Sequence, residues 1–286
     1  MARPACLTIS QIRILGLKTT MLHLSETDLR FLVETVATRR HDYDHIANLV
    51  RDKEDLLEPM LEDPRLMQRL FQDQEAFVRV SPRFLFTVLL GRVRRELERE
   101  AYILETDFKG KRVPVFEAPL VAEMLSDKQA RNYLADMLSS FARTNSGVIY
   151  WKERGSWHRR RFSDIDMDDM IELARISGPE LRPALYNRIA DIALFLSGIF
   201  PDHLSLFSRR RTSFSAARTL KDHEQQGQRF YNLAARETEQ AQRQPILKRL
   251  AEKFTLARWA LNTLSERHLK TQRAQYFRIP GSAVDL

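Results

Sequence analysis

Apolar residues recur at intervals of three and four along most of this chain, the spacing that draws one stripe down an α-helix. Ser25 with Asp28 three positions on has the form of a capping box, and Leu29, Leu32, Val33 and Val36 then share a face, so a first helix is expected to end near Arg39. A shorter pattern carries Ile46, Leu49 and Val50 until Pro59 interrupts it. Asp63 before Pro64, and Ser81 before Pro82, are each a cap followed by a first-turn proline. The first of these opens a helix whose inner face holds Leu66, Met67, Leu70 and Phe71. The second opens one that is apolar on nearly every side from Phe84 to Leu90 and should emerge into solvent from Arg92 to Glu100.

Between Phe108 and Phe116 two short apolar pieces flank Lys109, Gly110 and Lys111, which reads as a loop or small hairpin. Helical patterning returns from Leu120 to Leu125 and through Tyr133, Leu134, Met137, Leu138 and Phe141. The period then changes. Val148 to Trp151 and Trp157 to Phe162 flank Arg154-Gly155-Ser156 and predict a β-hairpin at about 147–162. Asp164 or Asp166 caps a helix from Met167 to Ile176. The alternate carboxylates here resemble the start of a calcium loop, but Asp169 stands where that loop needs Gly and Arg175 where it needs Glu.

Leu185, Ile189, Ile192, Ala193 and Leu196 mark the next helix, which Pro201 stops. Further on, Leu247, Leu250, Phe254, Ala257, Leu261, Leu264 and His268 form a coiled-coil-like seam. Gly227, Tyr231, Ala234, Thr238 and Ala241 form a smaller-residue seam before the break at Gln244-Pro245, and small residues facing large ones predict an antiparallel pair. The fold class is therefore mainly α: a multi-helix domain with one β-hairpin insertion, followed by a C-terminal antiparallel helical hairpin. The expected organisation is a poorly ordered leader at 1–20, the helical domain at 21–207, a basic linker at 208–221, the basic helical hairpin at 222–270 and a tail at 271–286.

Composition agrees. Only 9 Gly and 11 Pro occur in 286 residues, too few for a turn-rich β protein, and 43% hydrophobic with 29% charged residues excludes wholesale disorder. The single Cys6 allows no internal disulfide. The longest apolar run, Ile189 to Phe200, is too short to cross a bilayer and contains Asp191, so no membrane insertion is expected. A cytoplasmic location follows as an expectation.

Charge is distributed unevenly along the chain. Residues 1–207 carry 30 basic and 31 acidic side chains, whereas 208–286 carry 16 and 7, so the net +8 of the chain resides in its last quarter. Lys248, Arg249, Lys253 and Arg258 avoid the apolar seam, and Leu256 and Trp259 project away from it. That combination suits an acidic protein partner, held around an exposed indole. The alternative partner is nucleic acid, since Tyr150, Trp151, Trp157, Arg159, Arg160 and Arg161 mix cations with aromatic planes on the predicted hairpin.

No Gly-rich phosphate loop, GxSxG elbow or kinase signature occurs, and no cofactor is called for. His41 and His45 share a helical face with Glu34 seven residues earlier, the sole candidates for a metal site or a carboxylate-dependent enzyme. The reading that results is a non-catalytic adaptor or regulatory protein.

Overall fold

The computed structural model of the chain describes residues 24–38, 42–51, 53–72, 79–106, 111–142, 146–153, 156–201, 218–270 and 276–277. These fall into two compact units whose boundary lies between Ser139 and Ser140. The leader expected at 1–20 lies outside the described residues, as do most of the linker and most of the tail.

The first unit contains α1 (Glu26–Val36), α2 (Tyr43–Arg51), α3 (Glu54–Leu61), α4 (Pro64–Gln72), α5 (Pro82–Leu97), the strands β1 (Ile103–Thr106) and β2 (Arg112–Val115), α6 (Ala118–Ser126) and nearly all of α7 (Lys128–Phe141). The expected caps form. Ser25 and Asp28 make a reciprocal capping box on α1, and the Ser81 side chain accepts from Phe84 N–H at the start of α5. Asp28 serves both ends: its buried carboxylate also accepts from Ser81 N–H at 2.8 Å and from the Ser81 hydroxyl at 2.7 Å. Phe84 to Leu90 are buried throughout, so α5 forms the centre of this unit.

Three local expectations are corrected. Pro59 sits inside α3, which runs two residues beyond it. Leu49 and Phe71 are 47% and 39% exposed, because α2 and α4 bury narrower stripes led by Val50, Leu66 and Leu70. Arg94 and Arg95 do not emerge into solvent: Arg94 pairs with Glu62 and Glu98, and Arg95 donates to the Glu62 carbonyl at 2.9 Å. The segment read as a loop or small hairpin is a hairpin, with Ile103 opposite Val115 and Thr106 opposite Arg112.

The second unit begins at the end of α7 and continues through β3 (Ser146–Glu153), β4 (Ser156–Ser163), α8 (Met167–Ile176), α9 (Arg182–Ile199), α10 (Leu220–Glu237), α11 (Gln244–Glu252), α12 (Phe254–Leu264) and a π-helical turn at Ser265–Leu269. The predicted β-hairpin forms, in antiparallel register from Ser146 opposite Ser163 to Glu153 opposite Ser156. Asp166 caps α8, accepting from Asp168 N–H at 2.9 Å and Asp169 N–H at 3.2 Å, which accounts for that carboxylate as a cap.

Helix α9 is the core of this unit, with α10 and α12 packed along it. Small residues allow the close approaches. A methyl group at Gly227 would overlap the Phe254 ring, and one at Gly198 would stand 2.6 Å from Leu261 Cβ. Phe141 stacks on Phe195 with centroids 4.1 Å apart, and Phe277 meets Phe195 edge-on at 4.9 Å. The long seam expected from Leu247 to His268 is not one helix: Lys253, at φ −104° and ψ 28°, separates α11 from α12.

Candidate partner-binding surfaces

The face proposed from sequence lies on α11 and α12. Phe254, Ala257, Leu261 and Leu264 turn inward and are buried, whereas Leu256 and Trp259 are partly exposed on another side of α12. Lys248 is exposed on α11, Arg249 is partly exposed beside it, and Lys253 occupies the break between the helices. The Trp259 Nε1–H is hidden from solvent without a hydrogen-bond partner.

Arg258 departs from expectation. It is 3% exposed, and its Nε donates to Glu224 Oε1 on α10 at 2.7 Å. With the Asn262 amide oriented to satisfy its neighbours, Asn262 also accepts from Arg258 Nη1 at 3.0 Å while donating to the carbonyl of Ser197. Arg258 thus joins α9, α10 and α12 from within and offers no cation to a partner. A helical-wheel reading missed this because it assigns every Arg to the wet side, whereas an acid on the facing helix can hold one in the core.

At the entry to α10, Arg218 forms a bidentate pair with Asp168 at the start of α8. Its hydrogen bonding to Asp168 raises the guanidinium above its ordinary value. Thr219 and Asp222 make a capping box, and the hydrogen bonds from Thr219 lower the Asp222 carboxyl. His223, 6% exposed, donates from Nδ1 to the Thr219 carbonyl at 3.0 Å, and burial lowers its pKa. Only the Thr-x-x-Asp spacing of Thr219 and Asp222 hints at this cluster.

On the β3–β4 ladder the register pairs Tyr150 with Arg159, Lys152 with Trp157 and Val148 with Arg161. Trp151 pairs with His158 and Ile149 with Arg160. The two-residue period places the first three pairs at positions of one face and the last two at positions of the other, so the aromatic and cationic positions divide between both faces.

The metal candidates read from sequence are Glu34, His41 and His45. His41 lies outside the described residues, and His45 is exposed on α2. Glu34 accepts from Arg30 Nε at 3.0 Å and lies 3.8 Å from Arg69 Nη2. Among the described residues no three His, Cys, Asp or Glu side chains stand close enough to hold a metal ion.

One surface was not anticipated. Phe116 is 72% exposed at the end of β2, and Tyr102 and Leu104 are 47% and 44% exposed on β1 and the residue before it. The signal was present as alternation, Tyr102 and Leu104 against Pro114 and Phe116, but each run is too short to separate from a loop. Among the described residues no helix is long and apolar enough to cross a membrane. No protein family, no curated protein and no solved structure matches this chain.

Proposed function

We propose that this chain is a non-catalytic adaptor that holds an acidic protein against the outer side of α11 and α12. The observation that carries the reading is the partly exposed pair Leu256 and Trp259, set beside Lys248, Arg249 and Lys253. An indole flanked by cations supplies contact area at low entropic cost while the cations select acidic surfaces. The unpartnered Nε1–H of Trp259 gains a hydrogen bond if the ring turns toward an acceptor on the partner. Arg258 has no part in this contact; its role is to join the helices behind it.

The test is co-purification of the full chain from its native host after nuclease treatment, comparing the unaltered protein with Leu256→Ser and Trp259→Ala. A stoichiometric acidic protein lost from both variants, with melting temperatures unchanged, is the expected result. Equal recovery with all three proteins would remove this face from consideration.

A second reading is nucleic-acid binding on the β3–β4 hairpin, supported by the cross-strand pairing of Tyr150 with Arg159 and of Trp157 with Lys152. It requires binding to mixed-sequence RNA or DNA at low ionic strength that falls steeply with salt. No binding at roughly 10 mM salt, where the Debye length is about 30 Å, would dismiss it.

A further inference from the structure

Helix α10 turns one face into the second unit and the opposite face to solvent. Gly227, Phe230, Tyr231 and Ala234 are buried, whereas Lys221, Gln225, Arg229, Asn232 and Arg236 are all exposed. At 3.6 residues per turn these five lie within about 80° of one another around the axis, so they form one stripe along the outer side. The stripe carries three cations, two amides and no acid. Among the described residues none of the five makes a hydrogen bond or an ion pair, and Arg229 rests over the Phe230 ring at 5.8 Å.

The other charges of α10 are accounted for within the fold. Asp222 accepts from the N–H and hydroxyl of Thr219, and Glu224 accepts from the buried Arg258. Arg218, in phase with the stripe at the entry to the helix, is held by Asp168. Glu237 and Glu239 follow at the C-terminal end, Glu237 about 80° beyond the edge of the stripe. The outer side of α10 is therefore a cationic surface that no acid of the described chain neutralises.

Its residue types select among polyanions. A protein partner is gripped through aromatic or long apolar anchors, and single-stranded nucleic acid through aromatic planes for stacking; the stripe has neither. A lipid surface takes up apolar side chains, which are absent as well. A rigid helix instead holds Lys221, Arg229 and Arg236 about 12 Å and about 10.5 Å apart along its axis, fixed points that suit the regular phosphates of a duplex. Gln225 and Asn232 lie between them, and each offers a donor and an acceptor of the kind that meets base edges. The major groove of B-DNA, about 12 Å wide, admits one α-helix, whereas the deep and narrow groove of A-form RNA does not.

We propose that the outer stripe of α10 binds double-stranded DNA, with Lys221, Arg229 and Arg236 on phosphates and Gln225 and Asn232 turned toward the groove. This surface shares no residue with the β3–β4 hairpin or with the proposed α11–α12 contact and stands or falls independently of both.

Fluorescence anisotropy of a labelled mixed-sequence DNA duplex, titrated with the full chain at salt from roughly 10 mM upward, tests the proposal. Each phosphate contact contributes about −0.9 to the slope of log K against log salt, so a slope near −2.7 is expected, shrinking by about 0.9 in each of Lys221→Gln, Arg229→Gln and Arg236→Gln. Lys221→Arg keeps the charge and should keep the slope. Gln225→Ala combined with Asn232→Ala should weaken binding at an unchanged slope, and Arg159→Gln combined with Arg161→Gln on the hairpin should change neither. Because the five side chains are exposed, thermal melting should not move with any of the α10 replacements. Absence of binding at the lowest salt, a slope that the α10 replacements leave unchanged, or binding lost only through the hairpin variant would overturn the proposal. So would equal affinity for single-stranded DNA, double-stranded RNA, polyglutamate or phosphatidylserine vesicles, since the stripe would then be a general anion surface.

Discussion

The Tyr231 hydroxyl donates to Asp191 Oδ1 at 2.8 Å, with the tyrosine 0% and the aspartate 1% exposed. Asn187 Nδ2 donates to the other oxygen at 2.7 Å, and Asn187 in turn accepts from Arg243 Nη2 at 3.3 Å. A carboxylate in the middle of an apolar helix is thus bound by α9 itself and by α10, and the residue that precedes α11 holds Asn187 behind it. Removing one donor leaves a buried acceptor short of a bond, which costs about 1–3 kcal/mol. Tyr231→Phe should lower the urea midpoint by a corresponding amount with an unchanged slope.

Close helix approach in the second unit depends on Gly227 and Gly198. Gly227→Ala should destabilise by about 1–3 kcal/mol, because the Phe254 ring must move to admit a methyl group. Gly91, in the middle of α5, is the control: nothing lies within 4 Å of a Cβ there, so Gly91→Ala should stabilise by about 0.4–1 kcal/mol. Thermal melts of both variants check the pair.

Arg258 and Lys248 should separate cleanly. The Arg258 side chain is 4% exposed and its partner Glu224 22%, so Arg258→Ala strands a largely buried carboxylate and should cost about 3 kcal/mol. Lys248 is exposed, and Lys248→Ala should leave stability within about 0.5 kcal/mol. Chemical denaturation distinguishes a structural cation from a surface one.

His223 makes stability depend on pH. Burial acts most strongly, with the nearby Arg218 in the same direction, while the hydrogen bond to the Thr219 carbonyl and the Asp222 carboxylate oppose them. The net lowering favours the neutral ring in the folded state, so the unfolded chain takes up this proton at higher pH. The stabilisation is complete above the ordinary histidine value of 6.5 and is lost as pH falls through the lower folded value. The lowered Asp63 and Asp222 carboxyls contribute in a more acidic window, below their ordinary value of 3.8. Denaturation midpoints from pH 7.5 to 5.5 should fall in the unaltered chain and flatten in His223→Gln.

Helix starts and the β3–β4 hairpin were legible because their causes are local: Ser25, Ser81 and Asp166 cap with neighbours two or three residues away. The facing of Gly227 with Phe254 was legible as a size complement. Less legible were features that depend on a distant partner. Arg94 reaches Glu62 and Arg258 reaches Glu224, pairings that a single-helix pattern cannot reveal. Of the candidate surface, Leu256 and Trp259 were readable from the seam they avoid. The Tyr102–Phe116 face was not, since two four-residue strands carry too little periodicity and Tyr102, Leu104 and Phe116 face outward.

The most direct test of the adaptor reading is a photo-crosslinking amino acid placed at Leu256 in the full chain and irradiated in the native host. One dominant adduct, to an acidic protein, is expected; it should weaken with added salt and disappear when Trp259→Ala is present in the same chain. Adducts to nucleic acid, or a protein adduct indifferent to Trp259→Ala, would contradict it.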